Sequence, residues 1–171
     1  MIVEHLLDGV VARVRQEIPW RPGARELLSE LNDASVPCAL VTMSYQRLVA
    51  PVLEQLSGVG FSAVVTGDSV SRGKPHPEPY LRAAELLGVN AQRCVAIEDS
   101  DTGATSAVAA GCTVLCVPNH VPVPPGERRV MRSSLVGVDP RSLGTLLTHG
   151  NVTSSGTVVA HEVTPEEATI V

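Results

Sequence analysis

The feature that most constrains the fold is the stretch 94–111, CVAIEDSDTGATSAVAAG, in which a short apolar run ends at two adjacent acids. Residues 95–97 predict a buried strand. Ser100 is a preferred helix N-cap, and the small residues after it predict a helix that packs closely against a sheet. Glu98 and Asp99 therefore lie in a strand-to-helix turn. Because adjacent carboxylates repel each other and are costly to desolvate, we expect a cation beside them.

The same alternation of apolar runs and helical patterns continues through most of the chain. Further strands are predicted at 36–41, 63–65, 113–117 and 135–138, and further helices at 1–18, 23–34, 45–56, 80–87 and 141–147. Strands that alternate with helices indicate an α/β fold, in which a Rossmann-like parallel sheet forms the middle of three layers and helices cover both faces.

Polar side chains cluster where these predicted strands end. Thr42 and Ser44 follow the strand at 36–41, Asp68 follows the strand at 63–65, and Glu98 and Asp99 follow the strand at 95–97. In open parallel sheets, ligands bind beyond the carboxyl ends of the strands, so we expect these side chains to share one rim.

The expected cation is Lys74, the only lysine among 13 basic residues. Taken alone it would be interpreted as a solvated loop lysine. Pro75, however, restricts Lys74 to an extended backbone and so gives its side chain a defined direction. The sequence therefore predicts that Lys74 faces the two acids across the rim.

Composition argues against several classes of partner. The net charge is −5 and the chain has no basic run, so nucleic acid is not expected. No stretch approaches the roughly 18 apolar residues of a membrane span, and we expect a cytoplasmic protein that does not bind membranes. The four cysteines lie in or beside apolar runs and are expected to be reduced and buried, with a zinc site as the less favoured alternative.

Three motifs, in this order, resemble the haloacid dehalogenase superfamily, specifically its phosphatases and phosphomutases related to β-phosphoglucomutase. They are LVTMS around Thr42, GKPHPEPY around Lys74, and IEDSDTGATSAVAAG around Asp99. The resemblance runs from about residue 19 to residue 118. It implies the fold of that superfamily, with Mg²⁺ as the cofactor and a small phosphorylated metabolite, such as a sugar phosphate, as the substrate.

The resemblance also implies a role for each rim residue. Thr42 would hydrogen-bond the transferring phosphoryl group, and Lys74 would neutralise its charge and that of a nucleophilic aspartate. Asp99, with help from Glu98, would hold Mg²⁺. The other substrate contacts that it implies are Ser44 and His76.

The first motif of the family, a strand followed by Asp-x-Asp-Gly-Thr, has no match in this sequence. The nearest stretch, residues 6–10, has Leu6 where the nucleophile belongs and no strand before it. We therefore expect the central first strand of the sheet to be missing. Truncation, a non-catalytic role and a partner chain that completes the sheet are the three explanations. Truncation is favoured because the other charged residues of the site are present.

These expectations divide the chain into residues 1–18, a remnant of a helical cap or of a helix leading into the core, residues 19–149, the α/β core, and residues 150–171, a flexible tail or a short appended strand. The expected function is a Mg²⁺-dependent phosphohydrolase that works through a phosphoaspartate, with the nucleophilic aspartate outside this chain. A sugar phosphomutase and a non-catalytic fragment that binds a phosphate ligand or a partner are the alternatives. The chain alone is expected to be inactive or strongly impaired.

Overall fold

The computed structural model of the chain describes residues 20–56, 60–149 and 169–170, in which short strands alternate with helices. The helices are α1 (Ala24–Asp33), α2 (Gln46–Gln55), α3 (Glu78–Leu87), α4 (Asp101–Ala110) and α5 (Pro140–His149). The strands are β1 (Ala39–Val41), β2 (Ala63–Val65), β3 (Cys94–Glu98), β4 (Thr113–Cys116), β5 (Arg129–Met131) and β6 (Thr169–Ile170). None of these helices is long and apolar enough to cross a membrane. The helix predicted at 1–18 lies outside the described residues.

Every strand pair is parallel, which confirms the predicted α/β class. Within the described residues the strands form two sheets, β1 with β2 and a second sheet in the order β5-β4-β3-β6. Strands β1 and β3 therefore belong to different sheets. The two-residue strand β6 pairs with Cys94 and Val95 on the edge of β3, so residues 169–170 form an appended strand. The rest of the predicted tail lies outside the described residues.

Helices cover both faces of the larger sheet, as the predicted three layers require. Side chains alternate along a strand, so Cys94 and Ala96 of β3 point to one face and Val95 points to the other. The first face packs against α3 and α4 in one buried cluster, and the second packs against α1 and α5 in another. Helix α4 contributes alanines such as Ala107 to its cluster, and these small side chains allow the helix to lie close to the sheet.

The prediction of a strand at 135–138 is wrong. This segment is a turn, in which the Val138 amide donates to the Leu135 carbonyl at 3.0 Å and Gly137 has a φ of 73°. Leu135 and Val138 are nevertheless buried against α1 and α5. Buried apolar side chains in a loop thus imitate a strand pattern. The strand that follows β4 is β5, whose three residues begin with an arginine and are not fully buried, so they form no apolar run that would predict a strand.

Candidate active site

A pocket of about 550 Å³ lies at the carboxyl ends of β1 and β3. Four of the six predicted site residues line it, namely Thr42, Lys74, Glu98 and Asp99. Thr42 follows β1 directly, Glu98 ends β3, and Asp99 begins the turn into α4. Lys74 reaches the pocket from the loop before α3. The predicted shared rim is therefore formed by the ends of two strands in two different sheets.

The predicted cation lies beside the acids. The Lys74 ammonium donates to Glu98 Oε1 at 2.5 Å and to the Val41 carbonyl at 3.0 Å. The Lys74 and Glu98 side chains are only 12% and 7% exposed, so this ion pair is largely removed from water. Its contacts with Val41 and Glu98 join the end of β1 to the end of β3. The Lys74 backbone amide also donates to Met43 Sδ at 3.3 Å, which holds the loop against the rim.

Both carboxylate oxygens of Glu98 accept hydrogen bonds from other side chains of the protein. Its Oε1 accepts a hydrogen bond from the Tyr80 hydroxyl as well as from Lys74, and its Oε2 accepts one from the Ser100 hydroxyl at 3.2 Å. Burial, and then the Glu98 charge, raise the pKa of the Tyr80 hydroxyl far above its ordinary value, so Tyr80 remains a donor. Gly103 faces the same carboxylate. A Cβ at Gly103 would lie 2.0–2.2 Å from the three carboxylate atoms of Glu98.

Asp99 differs from its neighbour because its side chain is exposed. It makes no hydrogen bond or ion pair within the described part of the chain. Ser100 caps α4 by accepting the Gly103 amide at 3.1 Å, so Asp99 lies next to the positive end of a helix. Its carboxylate is thus the one at the pocket that is open to an external cation.

The donor chemistry of Asp99 fits Mg²⁺, which binds through one or two carboxylates and keeps several waters. Glu98 fits less well, because its oxygens are occupied by Lys74, Tyr80 and Ser100. Across the described residues, no group of three or more His, Cys, Asp or Glu side chains forms a ready metal site. Among the described residues, a metal at this rim would therefore have Asp99 as its carboxylate ligand.

Thr42 lines the pocket, whereas Ser44 and His76 do not. Thr42 Oγ1 accepts the Ser44 amide at 3.1 Å, which leaves the Thr42 hydroxyl proton available to donate. Ser44 is exposed, and its carbonyl accepts the Gly67 amide at 3.0 Å. His76 Nδ1 accepts the Glu78 amide at 3.2 Å at the start of α3. The structure thus gives His76 a local hydrogen-bonding role beside the site.

Two residues at the site were missed by the sequence reasoning. Tyr80 contacts Glu98, and its signal was present, because a tyrosine on the buried face of a helix needs a hydrogen-bond partner for its hydroxyl. Arg21 lines the pocket and donates from Nη2 to the Pro118 carbonyl at 3.2 Å. Its Nη1 is buried and has no hydrogen-bond partner among the described residues. Nothing in the local sequence distinguished Arg21 from the other arginines.

Comparison with known proteins gives consistent matches. The model of the haloacid dehalogenase-like hydrolases matches residues 2–111. Hexitol phosphatase A of Escherichia coli is 43% identical over 112 residues, which cover 65% of this chain and 51% of that protein. The chain thus spans about half the length of this curated relative.

Solved structures match a similar share of the chain. The structure of CbbY from Rhodobacter sphaeroides in complex with phosphate has a TM-score of 0.66 and 28% identity, with 75% of this chain and 60% of that chain covered. The structure of a putative β-phosphoglucomutase from Thermotoga maritima has a TM-score of 0.57 and 30% identity, with coverages of 75% and 59%.

Proposed function

This chain belongs to the haloacid dehalogenase-like hydrolases, and on that premise we propose that it forms the phosphoryl-binding part of a Mg²⁺-dependent phosphohydrolase. Its substrate would be a small phosphorylated metabolite. The observation that carries the proposal is the convergence of Thr42, Lys74 and Asp99 on one pocket, with Lys74 fixed between two strand ends. The cytoplasm as its location stays a prediction.

Thr42 and Lys74 would bind the transferring phosphoryl group. Phosphoryl transfer is catalysed mainly by positioning and by electrostatic stabilisation of the equatorial oxygens. The Thr42 hydroxyl would donate to one of these oxygens, and the Lys74 ammonium would offset their negative charge. Because Lys74 is 12% exposed and bonded on two sides, little reorganisation is needed when the anion arrives.

Asp99 would hold the metal. Bound Mg²⁺ supplies positive charge that screens the phosphoryl oxygens from an attacking carboxylate. The exposed Asp99 carboxylate offers an oxygen ligand at the rim of the pocket, in line with the preference of Mg²⁺ for carboxylate and water. Glu98 would pair with Lys74 and not hold the metal, because its oxygens already accept hydrogen bonds from protein donors.

The attacking aspartate implied by the resemblance has no counterpart among the described residues. Glu98 and Asp99 are the only acids of that part of the chain that line the pocket. The proposal therefore places the nucleophile on a further segment or a partner chain that completes the site. Its carboxylate would attack phosphorus while the ester oxygen leaves and takes up a proton, and water would then hydrolyse the phosphoaspartate.

Binding and turnover test the proposal separately on the purified full chain. Calorimetric titration with inorganic phosphate is expected to show binding that strengthens with Mg²⁺ and is lost in Lys74→Met. Asp99→Asn should remove the Mg²⁺ effect. Asp101→Asn is the matched control, because Asp101 is an exposed acid in the first turn of α4 that pairs with Arg129 at 2.7 Å outside the pocket. Absence of phosphate binding with and without Mg²⁺ would refute the proposal.

Turnover distinguishes the enzyme from its alternatives. Mg²⁺-dependent release of phosphate from p-nitrophenyl phosphate, abolished by Asp99→Asn, supports a phosphohydrolase. Because the nucleophile is placed outside this chain, phosphate binding without turnover supports a fragment that binds a phosphate ligand only if turnover stays absent after a segment with the Asp-x-Asp-Gly-Thr strand is added. The similarity to a putative β-phosphoglucomutase motivates a third assay, in which transfer of the phosphoryl group to a sugar phosphate, rather than to water, would indicate a mutase.

A further inference from the structure

We propose that Tyr80 is a positioning residue, whose hydroxyl fixes the Glu98 carboxylate and thereby directs the Lys74 ammonium into the phosphoryl-binding pocket. This inference rests on the proposed function, because it assigns a purpose to the direction of Lys74. Tyr80 does not line the pocket and would not touch substrate. It acts on Lys74 through Glu98.

The hydrogen-bond geometry supports this role. Tyr80 and Lys74 donate to the same oxygen, Glu98 Oε1, while Ser100 donates to Oε2. A carboxylate that is held from both oxygens cannot rotate freely, so the position of its Lys74 partner is fixed as well. The Tyr80 hydroxyl also takes up part of the Glu98 negative charge. More of the positive potential of Lys74 is then left for an anion in the pocket.

Burial makes Tyr80 a rigid support. Its side chain is 1% exposed and packs in the cluster formed by α3, α4 and the sheets. The Lys74 ammonium lies 5.0 Å from the centre of the Tyr80 ring, within the range of a cation–π contact. One side chain on α3 thus contacts both members of the ion pair. Tyr80→Phe retains the ring beneath Lys74 and removes only the hydroxyl.

The composition of the chain provides a direct spectroscopic test. Lys74 is the only lysine, so selective ¹⁵N-lysine labelling yields a single side-chain ammonium signal without assignment. Ammonium protons held in a buried hydrogen-bond network exchange slowly with water, and this slow exchange makes the signal observable. We expect the signal to be present in the wild type. In Tyr80→Phe it should shift or disappear through faster exchange, and the affinity for inorganic phosphate should fall about tenfold.

Two controls separate positioning from general loosening. Tyr45 is the only other tyrosine and is 58% exposed, so Tyr45→Phe makes the same chemical change away from the ion pair. Leu143→Val removes one methylene group from the opposite face of the sheet and lowers stability without touching Lys74. Both variants should keep the wild-type ammonium signal and phosphate affinity.

An unchanged ammonium signal in Tyr80→Phe would overturn the inference, as would an equal change in Leu143→Val. Retention of phosphate affinity within twofold in Tyr80→Phe would also overturn it. Failure of the wild type to bind phosphate would refute the proposed function instead. The ammonium signal would then still decide whether Tyr80 positions Lys74.

Discussion

Replacement of Gly103 by alanine tests whether the buried Glu98 carboxylate controls this site. Gly103 lies in the first turn of α4, where alanine is ordinarily the better helix former by up to about 1 kcal/mol. Here the added Cβ would lie 2.0 Å from Glu98 Oε2 and 2.1 Å from Glu98 Cδ, far inside van der Waals contact. The carboxylate must therefore move away, and its bonds with Lys74 and Tyr80 must break.

The expected cost follows from the burial of the ion pair. Breaking a buried ion pair that leaves one charge uncompensated costs about 3–5 kcal/mol. The helix propensity of alanine offsets up to about 1 kcal/mol of this, so Gly103→Ala should lower the free energy of unfolding by about 2–5 kcal/mol. A loss of that size is a large fraction of the stability of a typical domain.

Urea denaturation of four proteins measures this effect: the wild type, Gly103→Ala, Glu98→Ala and the double variant. Once Glu98 is truncated, the clash is gone, and Gly103→Ala should become neutral or stabilise by up to about 1 kcal/mol. The sign of the effect therefore reverses between the two backgrounds. An equal cost of Gly103→Ala in both backgrounds, or no cost in the wild type, would refute the reasoning.

Two further predictions follow from the same structure. Lys74→Arg should retain the charge but lower phosphate affinity at least about tenfold in calorimetry, because a planar guanidinium cannot replace a compact ammonium that bonds Val41 and Glu98 at once; wild-type affinity would contradict this. Burial raises the pKa of the Cys112 thiol from the ordinary value of 9.0 to about 12, so the folded protein holds this proton more tightly than the unfolded chain does. The resulting stabilisation is fully present below about pH 9. This contribution is lost as the pH rises from about 9 towards 12, and a decline in urea stability that is shallower in Cys112→Ala would confirm it.

Local sequence patterns identified most of the helices and strands and four of the residues that line the pocket. The end of α3 follows a local rule, because the left-handed residue that often terminates a helix is usually glycine, and Gly88 has a φ of 71°. The start of α4 could also be predicted, because serine is a preferred N-cap residue, and Ser100 accepts the Gly103 amide. The position of Lys74 beside the two acids could be predicted, because adjacent carboxylates need a cation and Pro75 restricts the direction of the only lysine; its choice of Glu98 as partner could not.

What the sequence could not provide depends on contacts between distant residues. Tyr80 and Glu98 are 18 positions apart, and the orientation of a side chain on α3 towards the end of β3 is set by packing. The split into two sheets is likewise a matter of which strand edges meet. The turn at Leu135 was misinterpreted because tertiary packing, rather than strand pairing, buries its apolar side chain.

Lys74 connects the two sheets as well as serving the proposed site. The described strands β1 and β3 share no hydrogen bonds, yet the Lys74 ammonium bonds the last carbonyl of β1 and the last carboxylate of β3. The residue that would bind a phosphoryl group therefore also sets the spacing between the two strand ends. A change that displaces Glu98 would alter both at once, because the ammonium cannot keep its place when one of its two anchors moves. Variants of this network should therefore lose stability and phosphate binding together. Variants of Asp99, which is exposed and unpaired within the described residues, should change phosphate binding without a loss of stability.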